Sequence, residues 1–396
     1  MKQNLGILIQ SIVVSAALVV LPLAVDAAIP NPPLISLSET GASNQMGRGL
    51  AAEASTDKMM MPNPFTYEYI AGANLSGATG TGHVYQLVLD GDAKTLIQSV
   101  AKAMNLSGTV EQPEYSTEEY PTFIIGAQDG TGPSVNLGWY GTGSWWYSDP
   151  SAYPSAECLT WETADDNSKY CSIYEEQKPT PELLPSKTQM TATALKLFKA
   201  TGLNVSANQV RVEVSEWGAS ASASMLIGGQ ESPVEWSINW GSNGKLGSLS
   251  GHSVKAVDKG EFKTISAKAA VSRISDWRYS GQLANSIWAK YAPQDGRVMP
   301  YATDDQIMLG EPATKESGSE EPGTESPEPA IEPQVVKVTV TEAHEAQVMI
   351  WDKSGGTWLV PGFVLISDQS WLNGVFSLED GIVELPEPME ISPMVK

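Results

Sequence analysis

The sequence predicts an α+β fold made of two tandem helix-on-antiparallel-sheet units followed by a small C-terminal β-module. Two observations carry this prediction. The first is an internal repeat: shifting the chain on itself by 101 positions, with no gap, brings Ala93, Leu96 and Ile97 onto Ala194, Leu197 and Phe198, and Ile125, Leu137, Trp139 and Gly143 onto Leu226, Ile238, Trp240 and Gly244. The second is a change of period within each copy, from helical spacing to strict alternation around tryptophan-rich hairpins. Composition agrees, since 35 Gly and 26 Pro in 396 residues, 18% of them charged, describe a turn-rich chain containing β-structure.

Taken in order, the chain opens with one lysine and an uncharged apolar run, Leu5 to Val25, ending in small residues. That order describes residues 1–27 as a secretory signal peptide or a membrane anchor, the latter touching the bilayer through residues 5–25. Both readings place the rest of the chain outside the cytoplasm, secreted or membrane-anchored. Residues 28–62, rich in Pro, Ser, Gly and Ala without a sustained period, read as a flexible tether.

The first unit spans 63–150. Ala93, Leu96, Ile97, Val100, Ala101 and Met104 fall at helical spacing behind Asp92 as N-cap, with Gly108 beyond the end. Val135, Leu137 and Trp139 then alternate as a strand. Residues 151–187 form a connecting loop containing Cys158 and Cys171. These are the two cysteines of the chain, and in an oxidising compartment an isolated even pair reads as a disulfide.

The second unit spans 188–310. Met190, Ala194, Leu197 and Phe198 form its helical stripe and Gly202 the stop, while Val234, Trp236, Ile238 and Trp240 alternate ahead of the Asn243-Gly244 turn. Residues 311–334 hold seven Glu, one Lys and five Pro with almost nothing apolar, so they read as a disordered acidic linker. Residues 335–390 close the chain with short strands, among them Val336–Val340, Ala346–Trp351 and Thr357–Ile366. A module this small is expected to pair with the sheet of the second copy.

The second copy's helix and strand, its Trp-rich hairpin with Asn243-Gly244-Lys245, and the segment Ile265-Ser266-Ala267-Lys268-Ala269-Ala270-Val271 resemble the PepSY-like and YcdB-type repeats of exported bacterial proteins. The likeness covers mainly residues 188–276. It implies helices packed on antiparallel sheets and a regulatory or protein-binding role in the cell envelope, and it supplies no catalytic residues.

Charge excludes one class of partner. With 24 Lys and Arg against 46 Asp and Glu, the net charge is −22, and no basic run is present to neutralise nucleic-acid phosphates. Catalytic signatures are equally absent: no G-x-S-x-G elbow occurs, and His83, His252 and His344 are dispersed. His83 and His252 read as strand or surface residues. The glycine run 77–82 precedes a strand where a phosphate loop needs a helix, so it reads as a turn. No metal or cofactor is expected; Asp165-Asp166-Asn167 lacks the spacing that wraps one calcium.

The sharpest local feature is the aromatic cluster Trp139, Tyr140, Trp145, Trp146 and Tyr147. Neighbouring strand residues face opposite sides, so at least one indole is expected at the surface, where its ring could stack a sugar or an apolar group of a partner. Three functions follow. The leading one is a non-enzymatic extracytoplasmic envelope protein, acting as a protein-binding or regulatory module. The alternatives are a glycan or cell-wall-ligand binder that uses the aromatic cluster, and a hydrolase with dispersed carboxylates.

Overall fold

The computed structural model describes residues 29–30, 32–38, 65–153, 156–164, 168–175, 178, 180–291 and 334–388. The N-terminal apolar segment, most of the tether, the Asp165–Asn167 cluster and the acidic linker up to residue 333 lie outside the described residues. Among the described residues, no helix is long and apolar enough to cross a membrane.

In chain order the elements begin with β1 (Ile35–Ser36), β2 (Phe65–Ala71), β3 (Gly80–Leu89) and α1 (Ala93–Ala103). There follow β4 (Thr122–Gly126), β5 (Ser134–Gly138), β6 (Trp145–Ser148), β7 (Cys158–Thr163), β8 (Lys169–Tyr174) and α2 (Lys187–Ala200). Next come β9 (Arg211–Ser215), β10 (Gly218–Ile227), β11 (Gln230–Gly241), β12 (Leu246–Gly251) and β13 (Val254–Thr264). The chain closes with α3 (Ala267–Ala270), α4 (Asn285–Tyr291), β14 (Gln334–Trp351), β15 (Thr357–Ser367), β16 (Leu372–Phe376) and β17 (Val383–Glu384).

This arrangement overturns the expected α+β class with its two tandem helix-on-sheet units and small C-terminal β-module. The described residues are mostly β, 46% strand against 18% helix. The two repeat segments build one continuous sheet in the order β4-β5-β6-β12-β11-β10-β9. A three-stranded half on its own would leave β6 or β12 as an open edge, and pairing the two removes both edges.

The gapless repeat also fails in detail. Leu137 and Ile238 match, both fully buried. Ile125 does not match Leu226, because an irregularity between Ser224 and Leu226 turns Leu226 outward. Ile125 lies opposite Val135, whereas its counterpart by pairing, Ala223, lies opposite Trp236. The strand order nonetheless reads the same from either side of the β6–β12 pair, apart from the extra β9. Trp145 lies opposite Leu137 and Leu249 opposite Ile238. With Leu137 and Ile238 matched, the centre of this palindrome falls on the Trp146–Ser250 pair.

The C-terminal strands form no module of their own. They build a second sheet, β13-β3-β15-β14-β2 with β16 beside β15, in which β14 runs as one long strand parallel to β2. They thus join strands from residues 65–89 as well as β13. Such pairings across hundreds of residues leave no local trace in the sequence.

Helix ends follow side-chain chemistry. Asp92 Oδ1 accepts from Thr95 N at 2.9 Å at the start of α1, whose end is set by Asn105 in the left-handed region (φ 54°) ahead of Gly108. Ser186 and Gln189 form a capping box on α2, and Gly202 (φ 109°) follows its last turn. Both helices pack on one face of the seven-stranded sheet. Ile97, Phe198, Trp145, Trp236 and Ile238 are all buried in that core, while a second core gathers Val348, Val360 and Phe376 around the β14–β15 hairpin.

Candidate ligand-binding face

The two faces of the seven-stranded sheet carry different chemistry because alternation sorts it. On β10 the run Ala219-Ser220-Ala221-Ser222-Ala223-Ser224 sends its alanines to the helices and its serines to the opposite, outer face. Register extends the outer rows across the sheet. Ser148, Ser248, Asn239, Ser220 and Glu213 form one row, and Asn136, Trp146, Ser250, Ser237 and Ser222 its neighbour. Asn239 Nδ2 donates to Ser248 Oγ at 2.9 Å, and Arg211 Nη2 to Ser222 Oγ at 2.9 Å, which fixes the polar floor.

Aromatic rings stand above this floor. Trp146 is 47% exposed, beside Trp145 at 1% and the buried Tyr147. Tyr140 is exposed and lies across Gly138, where a Cβ would meet its ring at 2.9 Å; Tyr120 packs edge-on against it, with ring centroids 5.3 Å apart. After β6 the chain folds back over the sheet and sets the Tyr153 ring against Gly241 and Gly247. A Cβ on Gly241 would lie 1.8 Å from the Ala152 carbonyl oxygen, so this crossing requires glycine there. Tyr153 and the exposed Trp217 border a shallow groove of about 440 Å³ whose lining includes Asn239, Ser220 and Glu213.

The predicted aromatic cluster is thereby divided. Trp139, Trp145 and Tyr147 belong to or pack against the core; Tyr140 and Trp146 stand on the outer face. Sequence reading missed Tyr153, Trp217, Asn239 and Ser220. The alternating serines of β10 were a usable signal for that face, whereas nothing local marked Tyr153 as lying on it.

Cys158 and Cys171 are joined, with Cα atoms 5.8 Å apart. They brace the antiparallel hairpin β7–β8, which exposes Leu159, Trp161, Ile173 and Tyr174 where a connecting loop was expected. His252 is half-buried: its Nδ1 lies 2.8 Å from Thr142 Oγ1, its ring meets Trp236 edge-on, and burial lowers its pKa to about 4. His83 sits on β3 with its Nδ1 2.9 Å from Asp258 Oδ2. Among the described residues, no group of three or more His, Cys, Asp or Glu is placed to hold a metal.

The outer face therefore offers flat rings and short hydrogen-bonding side chains. No family model matches the chain, and no curated protein matches it. The chain is similar to a solved structure, an uncharacterized protein from Eubacterium rectale, with 10% identity and a TM-score of 0.38 over 83% of this chain and 92% of that one.

Proposed function

We propose that this is a non-enzymatic extracytoplasmic protein that binds a linear glycan, such as a cell-wall polysaccharide, along the outer face of its seven-stranded sheet. The observation that carries this reading is the set of exposed rings, Tyr140, Trp146, Tyr153 and Trp217, standing over rows of Ser and Asn. Sugars present apolar C–H faces and a rim of hydroxyls, so flat aromatic platforms separated by small donors and acceptors suit them. From β5, which Tyr140 follows, to β10, which Trp217 precedes, is four strand spacings, about 19 Å at ~4.8 Å each, enough for an extended chain of several sugars. The disulfide supports an oxidising compartment outside the cytoplasm.

Affinity electrophoresis through gels carrying immobilised soluble polysaccharides tests the reading. Retardation should occur and should weaken together in Trp146→Ala and Trp217→Ala, although the two residues are far apart in sequence. Unchanged mobility in every polysaccharide and in peptidoglycan pull-down would remove it.

A second reading, docking of an envelope protein, is favoured by one observation, the apolar side chains exposed on the β7–β8 hairpin. Deleting residues 158–174 would abolish capture of such a partner while leaving glycan retention intact.

A further inference from the structure

At the mouth between the two sheets, the face of the second sheet that packs on the first core turns from apolar to polar. Successive cross-strand rows run from Leu87 and Thr357, through Tyr85 and Leu359, to Pro361 and Gln347, and then to Phe363 and Glu345. The β3–β15 pairing stops at Tyr85 and Leu359, because Pro361, which the same register would set opposite His83, has no N–H to offer it. Gly82 permits the close approach that follows, since a Cβ there would lie 2.7 Å from the Pro361 ring. Across the gap, the β10–β11 turn forms the opposing rim, with Tyr85 Oη against Gly228.

The result is a cleft of about 190 Å³, room for roughly six water molecules at ~30 Å³ each. Gln347 lines it at 6% exposure, and its Oε1 is buried with no hydrogen-bond partner among the described residues. Buried acceptors are rarely left unpaired in a folded protein, so this oxygen calls for a donor from outside. Glu345 stands two residues away on the same strand face. Asp258 holds His83, Glu261 pairs with Thr81, and no Lys or Arg lines the cleft. The His83 and Tyr85 rings stack 6.1 Å apart along one wall, a surface that also favours a cation.

We infer that this cleft binds a small organic cation whose primary ammonium donates to Gln347 Oε1 and is balanced in charge by Glu345. The site is separate from the aromatic face and does not depend on the glycan reading. Titration calorimetry of the disulfide-bonded chain with putrescine, against its neutral isostere 1,4-butanediol, tests it. Putrescine should bind at one site per chain and the diol at least tenfold more weakly. Gln347→Met, nearly isosteric, and Glu345→Gln, at the exposed rim, should each lower putrescine affinity about tenfold, whereas Glu182→Gln, an exposed carboxylate outside the cleft, should not change it. If Gln347→Met does not fold, Glu345→Gln against Glu182→Gln decides. No putrescine binding, equal binding of the diol, or equal losses from Glu345→Gln and Glu182→Gln would overturn the inference, the last by reducing it to attraction to the acidic chain as a whole.

Discussion

The two faces of the seven-stranded sheet are made from the same strands, one residue out of step, and they obey different rules. Inside, Trp145, Trp236, Ile238 and Leu249 pack against two helices, and their size and shape are fixed by neighbours on every side. Outside, Ser220, Ser237, Asn239 and Ser248 are small, and the large rings among them are exposed. The contrast teaches that in this sheet the bulk of a residue does not reveal its task. Trp145 and Trp146 are adjacent and identical, and alternation alone makes one a piece of core and the other a platform.

The largest effect that would break this comparison lies inside. Trp145→Ala should cost about 3–5 kcal/mol, as a large-to-small change in a core. Gly251→Ala should also destabilise strongly, because the new Cβ would lie 2.3 Å from Trp236 Nε1 and 2.6 Å from the Trp145 ring. Urea unfolding reads both. Trp146→Ala should stay within about 0.5 kcal/mol of the parent; equal losses at 145 and 146 would mean the faces are not distinct.

A second test titrates the inner side. His252 is held near 4 against an ordinary value of 6.5, so between those values the folded protein binds fewer protons than the unfolded chain. Stability should therefore fall as pH drops from about 6.5 to about 4, by up to about 3 kcal/mol, and by less in proportion to the part of the ring that water reaches. Unfolding midpoints at stepped pH should show this slope in the parent and a shallower one in His252→Gln.

On the outer side the readout is affinity. Trp146→Ala and Tyr153→Ala should each weaken polysaccharide retention by about 2 kcal/mol, as loss of an anchoring ring does, at unchanged unfolding midpoint. The smallest global effect is expected from the disulfide. Because the β7–β8 hairpin is exposed and lies outside both cores, Cys158→Ser with Cys171→Ser should raise hydrogen exchange within residues 158–174 and leave the main unfolding transition nearly in place.

Much of the local structure was legible in the sequence. Asp92 is a helix start whose short polar side chain reaches the first turn, Gly202 follows the second helix as its stop, and the opposite facing of Trp145 and Trp146 follows from the period of a strand. The cysteine pair was also readable. What was not legible depends on contacts between distant segments. Whether Leu226 faces in or out is decided by an irregularity visible only once β10 lies against β11. Tyr153 joins the outer face because the chain folds back over Gly241, and Gln347 meets a cleft because Pro361 ends a pairing between strands more than 270 residues apart. Alternation assigns residues to faces, but not faces to neighbours.

The palindromic order of the seven-stranded sheet bears on direction. A polysaccharide has a reducing and a non-reducing end, and a strand order that reads alike when turned half a circle about the Trp146–Ser250 pair cannot by itself tell which end arrives first. Any preference must come from the side chains that break the likeness: Trp146 against Ser250 at the centre, Tyr120 and Tyr140 toward one margin, and Tyr153, Trp217 and the extra strand β9 with its Glu213 toward the other. Exchanging the character of those margins, by removing Trp217 while keeping Tyr140 or the reverse, would reorient a bound chain without moving its centre, and a spin label at a known end of an oligosaccharide would report the reversal.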